Sequence, residues 1–130
     1  LPIDETPTPE RLRHGWLGWR EYVEHARERI APGKPIIFTE VGYPSVRTGA
    51  AEPWNYVSEA PADNEVQRLA FQAFCETWTR PSELQSFYIW QWREFGKDAA
   101  RSYPIQGKPA EAWLSAWIRR AQPASAAPAP

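Results

Sequence analysis

Apolar residues recur at helical spacing in the first third of the chain. They are separated by steps of 3 or 4 residues, and charged residues occupy most of the positions between them. Thr8 is expected to cap this helix with Pro9 at its first position, and Pro32-Gly33 is expected to end it. The apolar stripe predicts one packed face, made of Leu12, Trp16, Trp19, Val23, Ala26 and Ile30.

Two short β-type segments and two further helical segments follow. A β-branched and aromatic run at 35–40 has apolar residues on both faces, which predicts a buried parallel strand, and residues 86–92 predict a second strand. Asp63 is expected to cap the helix between them, and Pro109 to open the last helix. Residues 41–62 form a long connection, and connections of this length are commonly functional.

The predicted order, helix-strand-helix-strand-helix, is typical of repeating β/α units. Two parallel strands alone leave both sheet edges open, and parallel strands normally occur inside larger sheets. We therefore expect an α/β fold in which residues 1–120 are the last part of a larger repeating structure, with a disordered Ala/Pro-rich tail at 121–130. The chain has no Met and no signal-peptide pattern, so its true start is expected upstream of Leu1.

Composition and charge exclude several kinds of partner. Fifteen Lys and Arg residues nearly balance sixteen Asp and Glu residues, which leaves no basic surface for nucleic acid or an anionic membrane. No apolar run approaches the roughly 20 residues of a membrane helix. The one cysteine, Cys75, cannot form an internal disulfide and is expected to be buried and inert, and with two His it makes no zinc quartet.

Glu40 is the first candidate for chemistry. It stands at the carboxyl end of the first predicted strand, and in a barrel of β/α units that end forms the catalytic face. Alternation along the strand places Ile36, Phe38 and Glu40 on one face, which would direct Glu40 to the mouth of a barrel. The structural alternative is a strand-end Glu that pairs with an Arg or caps a loop.

Residues 33–45, GKPIIFTEVGYPS, resemble the strand-7 segment of clan A glycoside hydrolases, which are (β/α)8 enzymes with catalytic Glu residues on strands 4 and 7. The continuation resembles glycoside hydrolase family 113, the β-mannanase type. The matching stretches are AAEPW at 50–54, Asp63 with Gln67, YIWQW at 88–92 and GKPA at 107–110. The resemblance extends from about Thr8 to Trp117 and implies a partial TIM barrel that contributes strands 7 and 8 with their flanking helices.

The resemblance implies that Glu40 is the nucleophile of a retaining glycosidase that acts on β-mannan-like polysaccharide or oligosaccharide. A protonated carboxyl about 5–5.5 Å away must then donate to the leaving oxygen. The family draws this acid from an Asn-Glu pair at the end of strand 4, whereas the only Asn-Glu here, Asn64-Glu65, begins a helix. We expect the acid/base in the N-terminal half of the barrel, upstream of this chain, and no activity from the chain alone. No cofactor or metal is expected, because the reaction needs only two carboxylates and water.

Four aromatic residues are candidates for substrate binding under the same resemblance: Trp92, Trp90, Tyr43 and Trp54. An indole ring can stack on the apolar face of a sugar, and aromatic side chains commonly line ligand sites. Trp90 and Trp92 are expected to share a strand face with Tyr88 near the barrel mouth. Tyr43 is expected to bind a sugar hydroxyl or orient the nucleophile, and Trp54 to form a wall on the loop. Packing is the alternative for each.

Charged residues on the same two loops are weaker candidates for holding sugar hydroxyls, or for pairing with one another: Arg47, Arg93 and Glu94. The Trp residues on predicted helices are expected to pack: Trp16, Trp19, Trp113 and Trp117.

Two other functional classes stay open from the sequence. One is a non-catalytic, barrel-like domain of a surface or tail-associated protein that binds carbohydrate or protein. An Asn-Glu pair that ends a strand about 80–100 residues before Glu40 would distinguish the hydrolase from it. The other is a self-contained small α/β domain, which predicts cooperative melting of the isolated chain and which the open sheet edges disfavour.

Overall fold

A computed structural model describes residues 7–78, 84–92 and 99–121. In this part of the chain, helix α1 (Pro9–Ile30) is followed by strand β1 (Ile36–Val41), helix α2 (Asn64–Thr77), strand β2 (Leu84–Ile89) and helix α3 (Pro109–Ala121). The predicted order of elements is confirmed, and β1 and β2 pair in parallel as expected. The predicted tail lies outside the described residues, apart from the last residue of α3.

Side-chain caps fix where the first two helices begin. The Thr8 hydroxyl accepts the Arg11 backbone N–H at 3.3 Å, and Pro9 is the first helical residue. The Asp63 carboxylate accepts hydrogen bonds from the backbone N–H groups of Glu65 and Val66, at 3.1 Å each. Both predicted caps are confirmed. They determine the points at which the chain leaves a loop and becomes helical.

Aromatic rings form the centre of the core between the sheet and the helices. The Phe74 ring of α2 packs edge-on against Phe38 of β1 and Phe87 of β2, with ring centroids 5.2 and 5.1 Å apart. Trp16 of α1 packs against the same Phe74 ring at 5.2 Å. Phe74 is fully buried, so one side chain of α2 joins both strands to a neighbouring helix.

The helices cover one face of the sheet. Phe38 and Phe87 point into the core, whereas Ile37 and Tyr88, their neighbours in sequence, are exposed. The expectation that β1 is buried on both faces is therefore wrong in this structure, because no described element packs on the second face. Trp19 and Ile30 on α1 are likewise 64% and 83% exposed, so their predicted packing roles are also wrong.

The two strands end side by side and start the two loops that face each other. The Trp90 N–H donates to the Val41 carbonyl at 2.8 Å, immediately after β2 ends. A side chain at Gly42 would have its Cβ only 2.1 Å from the Trp90 carbonyl oxygen. The Trp90–Gln91 peptide bond is cis. We name residues 42–62 loop 1 and the described residues 90–92 and 99–108 loop 2. The second predicted strand, 86–92, thus ends earlier than expected, at Ile89.

The buried thiol gives a first prediction. Cys75 is fully buried, and this burial raises the pKa of its thiol to about 12. Because the thiolate is the reactive form, the folded protein should not react with DTNB at pH 8 over minutes, and denaturant should expose one reactive thiol. Full labelling of the folded protein at the rate of a free thiol would contradict the packing described for α2.

The contact at Gly42 gives a second prediction. Gly42→Ala should lower the free energy of unfolding by about 1–3 kcal/mol, because the added Cβ would clash with the backbone carbonyl of Trp90, which cannot move aside as a flexible side chain can. Gly18→Ala is the matched control, since an added Cβ there on α1 meets nothing within 4 Å. The control should gain up to about 1 kcal/mol from helix propensity. Urea unfolding of both variants measures the difference. Equal stabilities of the two variants would contradict the close approach of Gly42 to the Trp90 carbonyl.

Candidate active site

An irregularity in β1 determines where Glu40 points. Phe38 pairs with Phe87 and Val41 with Ile89, so β1 advances three residues while β2 advances two. Phe38 and Val41 both pack toward the helices, while Glu40 between them is exposed. The simple alternation that put Glu40 on the same face as Phe38 is therefore wrong. The extra residue is a β-bulge, a feature that commonly redirects a side chain near an active site.

Glu40 lies in an open environment at the carboxyl end of β1. Its side chain is exposed, and Trp90 begins loop 2 beside the next residue, Val41. The ion pairs shown within the described part of the chain do not involve Glu40; they join Arg20 to Glu24, Arg27 to Glu28 and Arg68 to Glu65. The structural alternative of a strand-end ion pair is thus not found among the described residues.

A cleft opens next to the same strand ends. It has a volume of about 700 Å³ and is lined by residues 56–59 of loop 1 and residues 101–103 of loop 2, together with Pro44, Trp90 and Gln91. Trp90 is 48% exposed, so part of its indole surface is accessible. This volume falls within the roughly 300–1,000 Å³ typical of small-molecule sites.

The other two predicted tryptophans lie outside the lining of this cleft. Trp92 is about half-exposed. Trp90 and Trp92 both follow the end of β2, so neither shares a strand face with Tyr88 as expected. Trp54 is exposed and lines a separate apolar groove, whose other wall is α1 with Trp16 and Trp19. The structure thus brings Trp90 to the cleft, and it places Trp54 beside α1 instead.

Tyr43 is a core residue. It is 6% exposed, its ring packs edge-on against Phe71 at 5.1 Å, and Trp16 packs against the same buried cluster. Burial raises the pKa of the Tyr43 hydroxyl well above its ordinary value. This position argues against the predicted contact with sugar and favours a role in packing the start of loop 1.

Gln67 is a residue whose function the sequence analysis missed. Its side chain is fully buried on α2, and Nε2 donates to the carbonyls of Tyr43 at 2.8 Å and Tyr103 at 3.0 Å. The amide therefore joins loop 1 to loop 2. The signal in the sequence was a polar residue on the apolar face of α2, between Val66 and Ala70.

Ser45 and Lys108 join the same loops a second time. The fully buried Ser45 hydroxyl lies 2.8 Å from the Ser102 carbonyl and 2.9 Å from the Ala100 carbonyl, and its single hydrogen can be donated to either. Lys108 Nζ donates to the Ser45 hydroxyl at 2.7 Å and to the Ser102 carbonyl at 2.9 Å. The last residue of the TEVGYPS motif therefore has a structural role.

Two long side chains of loop 2 hold the outer part of loop 1. Arg101 Nη2 donates to the Ser58 carbonyl at 2.5 Å, and the Tyr103 hydroxyl donates to the Pro53 carbonyl at 2.6 Å. The first of these contacts joins residues that are 43 positions apart in the chain, and the second joins residues that are 50 positions apart. Both walls of the cleft are therefore fixed by hydrogen bonds before any ligand binds.

The Asn64-Glu65 pair does not provide a proton donor. Glu65 lies in the first turn of α2, and its carboxylate accepts three hydrogen bonds from the Arg68 guanidinium at 2.6–2.9 Å. The Arg68 hydrogen bonds hold the pKa of Glu65 below its ordinary value. A general acid needs a raised pKa, so this carboxylate is unsuited to the role.

The remaining predicted charged residues contribute little to the described site. Arg47 is exposed, and its backbone N–H donates to the Pro61 carbonyl at 2.9 Å. Arg93 and Glu94 lie outside the described residues. Within residues 7–78, 84–92 and 99–121, no group of three or more His, Cys, Asp or Glu side chains is arranged to hold a metal ion. None of the described helices combines the length and apolarity needed to cross a membrane.

Solved structures with a similar fold are mannan-degrading enzymes. Two structures described as GH113 β-1,4-mannanase, one of them a complex, are 23% and 24% identical to this chain, each with a TM-score of 0.72 over 82% of it. The GH113 β-mannanase AaManA from Alicyclobacillus acidocaldarius, in complex with ManMIm, is 28% identical over 88% of the chain, with a TM-score of 0.64.

The chain spans 36% of the length of each of these mannanases. No curated protein sequence matches it. The sequence profile of Glycoside Hydrolase Family 113, a family of (β/α)8 barrels, matches residues 3–108. This match covers most of the chain and includes Glu40, both loops and α2, and the chain therefore belongs to Glycoside Hydrolase Family 113.

Proposed function

We propose that this chain forms strands 7 and 8, with their flanking helices, of a (β/α)8 barrel that hydrolyses β-mannan-like polysaccharide with retention of configuration. Three features support this arrangement: the parallel strand pair, the helices on one face only and the match to a family of (β/α)8 barrels. On this proposal β1 is strand 7 and β2 is strand 8. Their open face, with Ile37 and Tyr88, would line the barrel interior.

Glu40 is the proposed nucleophile. Retaining hydrolysis requires a carboxylate that attacks the anomeric carbon and forms a covalent glycosyl-enzyme intermediate. The observation that carries the proposal is the position of Glu40: a bulge turns it to the open side at the carboxyl end of a parallel strand. The chain in which it lies belongs to a family of glycoside hydrolases. In (β/α)8 enzymes this end carries the catalytic groups.

The acid/base is proposed to come from β/α units that are not in this chain. A carboxyl that must protonate the leaving oxygen has to be about 5–5.5 Å from the nucleophile in a retaining enzyme. The Arg68 guanidinium keeps Glu65 ionised, and Glu65 belongs to the first turn of α2. On this proposal the 130 residues by themselves bind substrate groups but do not hydrolyse the polysaccharide.

Trp90 and Trp92 are the proposed stacking platforms. Each follows the end of β2, each has about half of its surface exposed, and Trp90 borders the cleft beside the strand ends. Exposed indole rings there suit the apolar face of a sugar ring. Trp54, which is exposed on loop 1, is proposed to contact more distant parts of a long substrate.

Substitution of the nucleophile tests this function in the full-length protein to which the chain belongs. Glu40→Gln should lower kcat on β-mannan by at least about 10³-fold, because the covalent intermediate can no longer form. Azide should restore turnover of an activated aryl mannoside by the Glu40→Gly variant, with inversion of configuration. A residue with a merely structural role would not respond to azide in this way.

Glu21→Gln is the matched control, since Glu21 is also exposed but lies on α1. It should leave kcat within about twofold of the unmodified enzyme, as expected of an exposed substitution away from the site. Unimpaired hydrolysis by Glu40→Gln would refute the proposed role. Hydrolysis of mannan by residues 1–130 alone would refute the part of the proposal that places the acid/base in other units.

A further inference from the structure

The backbone that follows Glu40 is held at two of its carbonyl groups. The Val41 carbonyl accepts the backbone N–H of Trp90 at 2.8 Å, and the Tyr43 carbonyl accepts Nε2 of Gln67 at 2.8 Å. The first bond joins two backbone groups at the strand ends, whereas the second comes from a side chain of α2. Gln67 therefore fixes the backbone three residues beyond Glu40.

The Glu40 side chain has no comparable support of its own. It is exposed, and the hydrogen bonds and ion pairs found within residues 7–78, 84–92 and 99–121 do not involve its carboxylate. The position of the carboxylate in this part of the chain therefore depends on the backbone that carries it. A displacement of about 1 Å in a reacting group can lower a rate by about 100-fold.

We propose that Gln67 is a positioning residue, whose amide fixes the backbone after Glu40 and so keeps the nucleophilic carboxylate aligned with the anomeric carbon. This inference rests on the proposed function, because it requires Glu40 to be the nucleophile. Gln67 is fully buried and acts through the Tyr43 carbonyl, while its second bond, to the Tyr103 carbonyl of loop 2 at 3.0 Å, anchors the same amide.

The hydrogen bonding of the Gln67 amide favours this role over simple core packing. Its Oε1 atom is buried and has no hydrogen-bond partner in the part of the chain that the structure describes. An unsatisfied buried acceptor costs free energy, which an apolar side chain of similar size would avoid. The amide instead supplies two N–H donors to two carbonyls, one on each loop. Local features that lower stability in this way are typical of functional sites.

Removal of the two donors in the full-length protein tests the proposal. Gln67→Met keeps a side chain of similar size and should lower kcat on β-mannan by about tenfold or more, with KM within about twofold. The two constants separate because the nucleophile is displaced while the groups that contact the substrate are unchanged. Gln67→Asn keeps an amide on a shorter side chain and should lower kcat in the same way, which provides a second variant if Gln67→Met does not fold.

Azide rescue distinguishes an effect through Glu40 from a general effect on the site. In the Glu40→Gly variant azide replaces the carboxylate as nucleophile, and azide from solution does not depend on the backbone of loop 1. Adding Gln67→Met to this variant should therefore change the azide-dependent turnover of an activated aryl mannoside by less than about twofold. The same tenfold loss in the presence of azide, or an unchanged kcat when Glu40 is present, would overturn the positioning role.

Val66→Ala is the matched control, since Val66 is buried on α2 beside Gln67 and has an apolar side chain. It should lower the melting temperature through lost packing but leave kcat within about twofold. A tenfold loss of kcat in this control would show that destabilising α2 is sufficient, and would overturn the role of Gln67. Failure of azide to restore turnover in Glu40→Gly itself would instead refute the proposed nucleophile, and the role of Gln67 with it.

Discussion

The backbone contact between Gly42 and the carbonyl of Trp90 is the constraint on which the arrangement of this site depends. It allows two parallel strands to end at the same level, with the Trp90 N–H bonded to Val41. A residue with a Cβ at position 42 would push the beginning of loop 1 away from loop 2. The exposure of Glu40 beside Trp90 follows from this contact together with the bulge between Phe38 and Val41.

Buried polar side chains extend that contact into a rigid pair of loops. Gln67, Ser45 and Lys108 bind backbone carbonyls on loop 2, and Gln67 also binds one on loop 1, so these side chains hold the two loops together where they meet the core. Apart from the bond between Lys108 and Ser102, each of these bonds joins residues at least 24 positions apart, which makes the position of the loops a property of the folded chain. Catalytic and binding groups held on such fixed loops require little reorganisation when substrate arrives.

Features of the fold that depend on local sequence could be predicted, and features that depend on distant contacts could not. The caps at Thr8 and Asp63 are local, as is the alternation of strands and helices, and all were predicted. The bulge before Glu40 could not be predicted, because it arises from the register between two strands. Tyr43 looked like a site residue because it lies in the TEVGYPS motif, yet Phe71 and Trp16, which pack around it, come from two helices.

The exposed apolar surface indicates where further elements pack against this chain. Trp19 on α1 and Ile37 on β1 are poorly covered in this chain, and large exposed apolar surfaces mark places where another element packs. On the proposed function, further β/α units of the barrel would cover them and would bring the acid/base to Glu40. The chain would then contribute the nucleophile and one side of the substrate cleft, and the rest of the barrel would contribute the proton donor.

The most direct measurement is to identify the residue that is labelled when the full-length protein reacts with a 2-deoxy-2-fluoro-β-mannosyl fluoride. Such a substrate forms the glycosyl-enzyme intermediate and slows its hydrolysis, so the modified peptide can be sequenced by mass spectrometry. We expect the label on the carboxylate of Glu40, in the segment TEVGYPS. A label on a different carboxylate, with Glu40 unmodified, would contradict the assignment of the nucleophile and the orientation of the site.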